Sequence, residues 1–408
     1  MTSKCRICEV AIEPFMSFGK MPIANGFLNP EDFANEYFFE LIPGFCERCL
    51  TFQILDQPDP EKMFHQNYAF FSRTSKHMVS HFKSYANWVK AEYLSAPNPF
   101  VVEIGSNDGS MLENFSKENI RHLGVEPSAN VAEEARKYGV NTLCSFFNLA
   151  TAEKIVSEHG HADALIAANV ICHIPNLHDV ARGADSLLNP GGVLIFEEPY
   201  LGDMIENTAY DQIYDEHVYM FSARSIKNIF NKYDFELIDV KPQSTHGGSM
   251  RYVLARNGKW PVSQNVDKQL AYEDKNNLHL KNTYDQFREK CELSRKELVS
   301  ILQQKKQAGK RVVGYAATSK STTVLNYCGI GPDLIEFISD TTPIKQGKYS
   351  PGVHIPVRSY EELRDNYPES LLLFAWNHKA EVMENESSFL EKGGEWITYV
   401  PKVSLICK

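Results

Sequence analysis

The chain has no apolar run approaching the roughly 18 residues that a membrane-spanning helix needs. Its opening stretch, MTSKCRICEVAIEPF, lacks an apolar core of signal-peptide length. Both absences predict a cytoplasmic protein with no membrane partner. Positive charge is also scarce, since 42 Lys and Arg stand against 52 Asp and Glu, a formal charge of −10 in 408 residues. Nucleic-acid binders draw most of their affinity from clustered Lys and Arg, so this balance argues against a nucleic-acid partner. No low-complexity tract is present and no protein partner is evident. The segment Gly314-x5-Lys320 is not a G-x4-G-K-[ST] phosphate loop, which argues against ATP hydrolysis.

What the chain does have begins with two cysteine pairs, Cys5-x2-Cys8 and Cys46-x2-Cys49, separated by 37 residues. Four thiolates in knuckle spacing fit a tetrahedral, structural zinc site; the alternative is two disulfides or four unconnected thiols. The other cysteines, Cys144, Cys172, Cys291, Cys328 and Cys407, show no ligand spacing and read as packing residues.

Three segments follow from texture. Residues 1–75 carry Pro14, Pro22, Pro30, Pro43, Pro58 and Pro60, which break any long helix and predict a turn-and-hairpin module around the metal. Residues 76–283 open with a helical stripe, Met78, His81-Phe82, Tyr85 and Trp88-Val89. Apolar runs then alternate with helical stretches at Phe100–Ile104, Arg121–Val125, Ala162–Ala167 and Gly192–Phe196. That alternation predicts a parallel sheet wound on both faces, a Rossmann-like domain. Residues 284–408 comprise an amphipathic linker helix, Tyr284 to Gln307, and a second, smaller α/β domain with strands at Arg311–Tyr315, Leu334–Ile338, Leu371–Ala375 and Trp396–Val400.

The first strand of the central domain runs into Glu103-Ile-Gly105-Ser-Asn107-Asp108-Gly109. Glycines there permit a sharp turn and close approach to a ligand. Glu126 ends the next strand about 20 residues on, where a carboxylate can bind both ribose hydroxyls. The loop lacks G-x-G-x-x-G and offers polar side chains instead, which suits an ammonium and a carboxylate, as in S-adenosylmethionine. Asn169 ends the following strand and completes the cofactor-binding set. Further on, Tyr210 to Ser222 packs three tyrosines, one histidine and three acids into thirteen residues. If this run is helical, Tyr210, Tyr214 and His217 share a face. His217 can take a proton, Glu216 can orient it or hold substrate, and a tyrosine can stabilise an oxyanion. His246-Gly247-Gly248-Ser249 with Arg251, and Tyr68 with Ser72, could face the same cleft. Thr318-Ser319-Lys320 follows a strand and could meet a pyrophosphate at a helix N-terminus, and Asn377-His378 could line the same mouth.

In this order the motifs resemble the S-adenosylmethionine-dependent C-methyltransferases that act on nucleotide-linked deoxysugars. The resemblance covers nearly the whole chain. It rests on the four cysteines, Glu103–Gly109, Tyr214-x-Glu216-His217 with Tyr219 and Phe221-Ser222, His246–Ser249 with Arg251, and Gly314–Lys320. It implies a zinc module, a class I methyltransferase domain and a Rossmann-like C-terminal domain around a dTDP- or GDP-linked 4-keto sugar methylated at C3. It also implies His217 as general base, Glu216 and Tyr214 as substrate contacts in the catalytic set, and Tyr68 as a wall residue; with Tyr68, the residues Ser72, Tyr219, His246, Arg251, Ser319, Lys320 and Asn377 complete the expected substrate-binding set. A common form of the motif is Tyr-His-Glu-His, and Asp215 stands at its first His. The rival readings are a small-molecule O- or N-methyltransferase and a zinc-containing nucleic-acid-binding or regulatory protein.

Overall fold

A computed structural model describes residues 3–59, Met63 and 71–408. Tyr68 lies outside the described residues. The largest sheet has seven strands, in the order Phe235–Gln243, Ser249–Arg256, Leu188–Pro199, Ala162–Ala168, Phe100–Ile104, Arg121–Val125, Thr142–Leu143. The last five are parallel to one another and the first two are antiparallel additions. Phe100–Ile104 is buried at every position, as a strand covered on both faces must be. Alternate residues serve two cores. Val101, Ala164, Ile166 and Ile195 face the helix Lys76–Tyr93, whereas Val102, Leu165, Leu194 and Phe196 face the opposite layer.

The expected helix over the 76–95 region forms because Ser75 caps it, accepting from the Met78 N–H, and because Phe82, Tyr85, Ala86 and Val89 recur on one face. Burying a large apolar side chain of this kind contributes about 1.5–3 kcal/mol. The strand expected at Gly192–Phe196 is longer, Leu188–Pro199, because Ser249–Arg256 pairs with it from Val193 through Pro199.

A six-stranded sheet follows the helix Lys281–Gln307, in the order Val357–Arg358, Ile338–Ser339, Val312–Tyr315, Ser370–Leu373, Glu395–Thr398, Ser404–Ile406. It is parallel except for its last strand. The strand expected at Leu334–Ile338 shrinks to Ile338–Ser339, because Gly331-Pro332-Asp333 closes a turn in which the Leu334 and Ile335 N–H groups both donate to the Gly331 carbonyl.

The N-terminal hairpin, Pro43–Cys46 with Thr51–Ile54, takes its third strand, Tyr219–Met220, from the central segment. The same N-terminal segment reaches the last sheet, where Glu36 accepts from the Gly352 N–H and bonds His354 at 2.7 Å, and Phe33 stacks on the His354 ring. Cys172, Cys291 and Cys328 are buried as expected, but Cys144 and Cys407 are exposed rather than packed in the core. No helix among the described residues is long and apolar enough to cross a membrane.

Candidate active site

A cavity of about 440 Å³ opens at the C-terminal ends of the parallel strands. The sheet order turns back there, between Phe100–Ile104 and Ala162–Ala168, and open α/β sheets bind ligands at such a point. Its wall comes from all three parts of the chain, including Asn25, Glu126, His217 and Lys320.

On one side the strand Phe100–Ile104 ends in Gly105, whose φ of +63° and distance of 2.4 Å from an added Cβ to the Val170 side chain leave room for glycine alone. Asn107, Asn169 and His246 also line the cavity at positive φ, and non-glycine residues so held cost about 1–3 kcal/mol each. Glu126 is fixed by two backbone donors, Asn107 N–H at 3.0 Å and Ser128 N–H at 2.8 Å. Each oxygen keeps a second lone pair for a hydroxyl. Burial raises its pKa against those bonds. Pro127, Phe146 and Phe147 extend this wall with apolar surface.

Of the cofactor set read from the sequence, Gly105, Asn107, Glu126 and Asn169 reach the cavity. Glu103, Asp108 and Gly109 do not line it. Glu103 sits inside its strand, its carboxyl pushed well up by burial and by the acids Asp108 and Glu126. Asp108 ties down the Arg73 N–H at 2.7 Å, and Gly109 packs on Val140. They support the loop from behind. Ser72 reaches the cavity too, its N–H donating to Asn107 Oδ1 at 3.0 Å, so this segment lies across the loop.

The acid and tyrosine cluster is not a helix. Tyr210–Gln212 makes one 3₁₀ turn and the chain then extends, because Asp211 is drawn to Trp376 Nε1 and the Tyr399 hydroxyl, both at 2.6 Å, and Val218 already accepts from the Ile54 N–H of the cysteine hairpin. Tyr210 therefore leaves the site and packs against Tyr327 and Tyr399. Tyr214, Glu216 and His217 do line the cavity. His217 Nδ1 lies 2.7 Å from the Gln212 carbonyl, which can only accept, so Nδ1 carries the proton and Nε2 is the basic atom. The Tyr214 hydroxyl donates to that Nε2 at 2.7 Å. Burial, with His173 beside it, drives the His217 pKa well below its usual value. His173 stacks on it with ring centres 5.3 Å apart and is itself lowered to about 3 by burial and by His246. Both imidazoles are neutral at ordinary pH.

The opposite wall belongs to the last sheet. Thr318 caps the helix Ser319–Cys328 and forms a reciprocal box with Ser321, so the first-turn N–H groups of Ser319 and Lys320 stay available to a ligand. Lys320 Nζ donates to the His246 carbonyl at 3.3 Å and Asn377 Oδ1 at 3.4 Å, 4.6 Å from the Trp376 ring centre. Burial lowers its pKa, opposed by Asp211. Ser319, Lys320, Lys345, Asn377 and His378 all line the cavity. The His246-Gly-Gly turn fits beneath them only as glycine, because a Cβ on Gly247 would come within 2.2 Å of Trp376.

Two of the substrate-binding expectations are corrected by packing. The Tyr219 hydroxyl donates to the Pro175 carbonyl at 2.6 Å, and its ring is fully buried away from the cavity wall. Arg251 is held at 2.7 Å by Glu197, beneath the faces of Tyr85 and Trp88. Burial alone would raise the Glu197 carboxyl, but His81 and Arg251 hold it down to about 2. This pair joins strands and helix, and its guanidinium does not face the cavity. His246 does line it. Asn25, His173 and Lys345 are wall residues that the sequence reading did not single out.

Cys5, Cys8, Cys46 and Cys49 bring their sulfurs within 4.8 Å of one another. The Cys5–Cys49 and Cys8–Cys46 sulfurs are 3.5 and 3.4 Å apart, too far for a disulfide at about 2.0 Å. They lie close to the S–S edge of about 3.8 Å in a tetrahedral zinc–thiolate site. Gln53 Nε2 and the Ile7 N–H both donate to Cys5 Sγ, as outer-shell groups do around a thiolate. The donor set fits structural zinc.

Sheet order, the glycine loop with its distal carboxylate, and the four-sulfur cluster define an S-adenosylmethionine-dependent methyltransferase carrying a zinc module. Family models match in series: "Putative zinc binding domain" over residues 5–64, "Methyltransferase domain" over 63–240 and "C-methyltransferase C-terminal domain" over 244–401. The chain is 32% identical over 406 residues to the C-methyltransferase NovU of Streptomyces niveus, covering 99% of this chain and 96% of that one. It belongs to the C-methyltransferase family. Among solved structures it is similar to the magnesium protoporphyrin IX methyltransferase of Synechocystis PCC 6803 with bound SAM, at 16% identity over 44% of this chain and 79% of that one, with a TM-score of 0.34. It is also similar to the CcbJ methyltransferase of Streptomyces caelestis, at 14% identity over 43% and 90%, with a TM-score of 0.34.

Proposed function

We propose that the enzyme methylates C3 of a nucleotide-linked 4-keto-6-deoxyhexose, with His217 as the base that removes the C3 proton. The observation that carries the reading is the fixed tautomer of His217, whose basic Nε2 points at a phenol inside the cavity. A carbon beside a ketone is acidic because its anion delocalises onto the carbonyl oxygen. A neutral imidazole can accept that proton at any ordinary pH. Nε2 has one lone pair, so an incoming C–H must displace the Tyr214 hydroxyl. The phenol is then available to donate to the oxygen on which charge develops. Glu216, 2.8 Å from the Asn25 amide, is suited to a sugar hydroxyl or ammonium. Lys320, Lys345 and the first-turn N–H groups at Ser319 and Lys320 suit a diphosphate. Bound S-adenosylmethionine supplies an electrophilic methyl group, and Glu126 and Asn107 are the residues suited to hold its ribose and tail.

In this scheme the chain, divided at residues 75 and 283, gives one part to the metal, one to the methyl donor and one to the nucleotide. Incubation with S-adenosylmethionine and a panel of dTDP-, GDP- and CDP-linked 4-keto-6-deoxyhexoses in deuterated water tests it by mass spectrometry. A carbon-bound methyl, with His217-dependent solvent exchange at C3, is expected. Methyl transfer to oxygen or nitrogen without exchange would sink the enolate reading.

A further inference from the structure

The cysteine module does more than fold around a metal. Its turn at Ala24-Asn25 reaches the reaction cavity, and three bonds hold it there. The Ala24 N–H donates to Asp215 Oδ1 at 3.0 Å, the Asn25 amide donates to Glu216 Oε1 at 2.8 Å, and the Ala24 carbonyl accepts from the Thr322 hydroxyl at 2.8 Å. The turn is stiff in itself, because the Gly26 N–H bonds the Ile23 carbonyl and the Phe27 N–H bonds the Asn25 carbonyl, both at 3.0 Å. Ala24 and Asp215 are both 1% exposed, while Asn25 lines the cavity.

We propose that Asp215 is a positioning residue that anchors the Ala24-Asn25 turn of the zinc module in the reaction cavity, where Asn25 sets the Glu216 carboxylate and helps select the acceptor. The anchor stands at the place where the commoner motif has histidine. It needs a short oxygen acceptor aimed at a backbone N–H, and a histidine ring extends further from the backbone than an Asp carboxyl. The second oxygen, Oδ2, is buried with no hydrogen-bond partner among the described residues. The charged group acting on it is Glu216 on its own segment, which in turn faces Lys345 from the turn between Ile338–Ser339 and Val357–Arg358, where Asp340 also acts on that lysine. Burial and the Glu216 charge raise the Asp215 pKa, which favours the neutral acid, a shape that asparagine reproduces.

The inference uses the C-methyltransferase reading for its kinetic arm only. Hydrogen exchange of the zinc-loaded full chain, read at residues 22–28, needs no acceptor. Asp215→Ala should speed exchange there at least tenfold, and Asp215→Asn should restore protection. With an acceptor that the wild type methylates, Asp215→Ala and Asn25→Ala should each raise the acceptor KM at least tenfold, with S-adenosylhomocysteine Kd within twofold of wild type. Asp215→Asn should keep the wild-type KM. Unchanged exchange in Asp215→Ala, no rescue by Asp215→Asn, or an unaltered acceptor KM in Asn25→Ala would overturn the proposal. If no sugar in the panel is methylated, the acceptor class has failed, and the exchange arm still decides the anchor.

Discussion

The Tyr214 hydroxyl sits 2.7 Å from Nε2 of His217, occupying the one atom through which that histidine can take a proton. The pair can work only if the substrate separates it. His217→Ala should lower methyl transfer by at least about 10³-fold and abolish solvent exchange at the acceptor carbon. S-adenosylhomocysteine binding by calorimetry should be unaffected. Tyr214→Phe should keep the exchange but cut its rate by about 10²-fold or more, since one donor to a developing oxyanion is lost.

Three histidines line the cavity, His217 buried and His173 and His246 partly so, and desolvation lowers all three, His173 to about 3 and His246 to about 4. Each is neutral in the folded chain at pH values where an unfolded histidine, near 6.5, already binds a proton. Their contribution to stability is therefore complete above about pH 6.5 and is lost as pH falls toward the folded values. Thermal melts from pH 7.5 to pH 5 should show a falling midpoint. The fall should be shallower in His173→Asn and His246→Asn.

The strand that follows His217 is hydrogen-bonded to the cysteine hairpin, with Tyr219 opposite Gln53 and Met220 opposite Phe52. Loss of the metal should therefore reach the reaction. Elemental analysis should give one zinc per chain. Cys8→Ser should lower both metal content and methyl transfer, with a smaller effect on cofactor binding, because the loop at Gly105 is carried by a different sheet.

Arg251 is a structural residue by its contacts. Removing its charge strands the Glu197 carboxylate in a fully buried place, which typically costs about 3–5 kcal/mol. Arg251→Met should drop the denaturation midpoint sharply. At temperatures where the variant is folded, its acceptor KM should stay near that of the wild type.

Lys320→Ala should raise the KM for the acceptor at least tenfold while leaving the S-adenosylmethionine KM unchanged. Steady-state kinetics with each substrate varied separately measures the split. Equal effects on both would remove Lys320 from the acceptor side.

The local parts of this site were legible in sequence. Glu126 follows the glycine loop at a distance fixed by one short helix and one strand. The cysteine pairs carry their own spacing, and Lys320 follows a strand at a helix start. What was hidden depends on partners far along the chain. Periodicity suggested a helix from Tyr210 to His217, but Asp211 bonds residues 165 and 188 positions away, and those bonds pull the backbone straight. Arg251 beside two glycines had the chemistry of a ligand contact, and only the fold revealed Glu197 as its partner, 54 positions back. Asn25 and Lys345 stand in stretches with no motif at all.

Thr322 and Thr323 are neighbours on one helix, yet their hydroxyls bind the carbonyls of Ala24 and Ile213, which belong to different parts of the chain. That single helical turn works as a rivet through three plates. Changes that tilt the last sheet by a small angle are therefore transmitted to the Asn25 amide and to the Tyr214–His217 segment together, while the glycine loop on the far wall keeps its own foundations. Descendants of this scaffold can drift toward new acceptors by reshaping that joint without having to rebuild the half that handles the methyl donor.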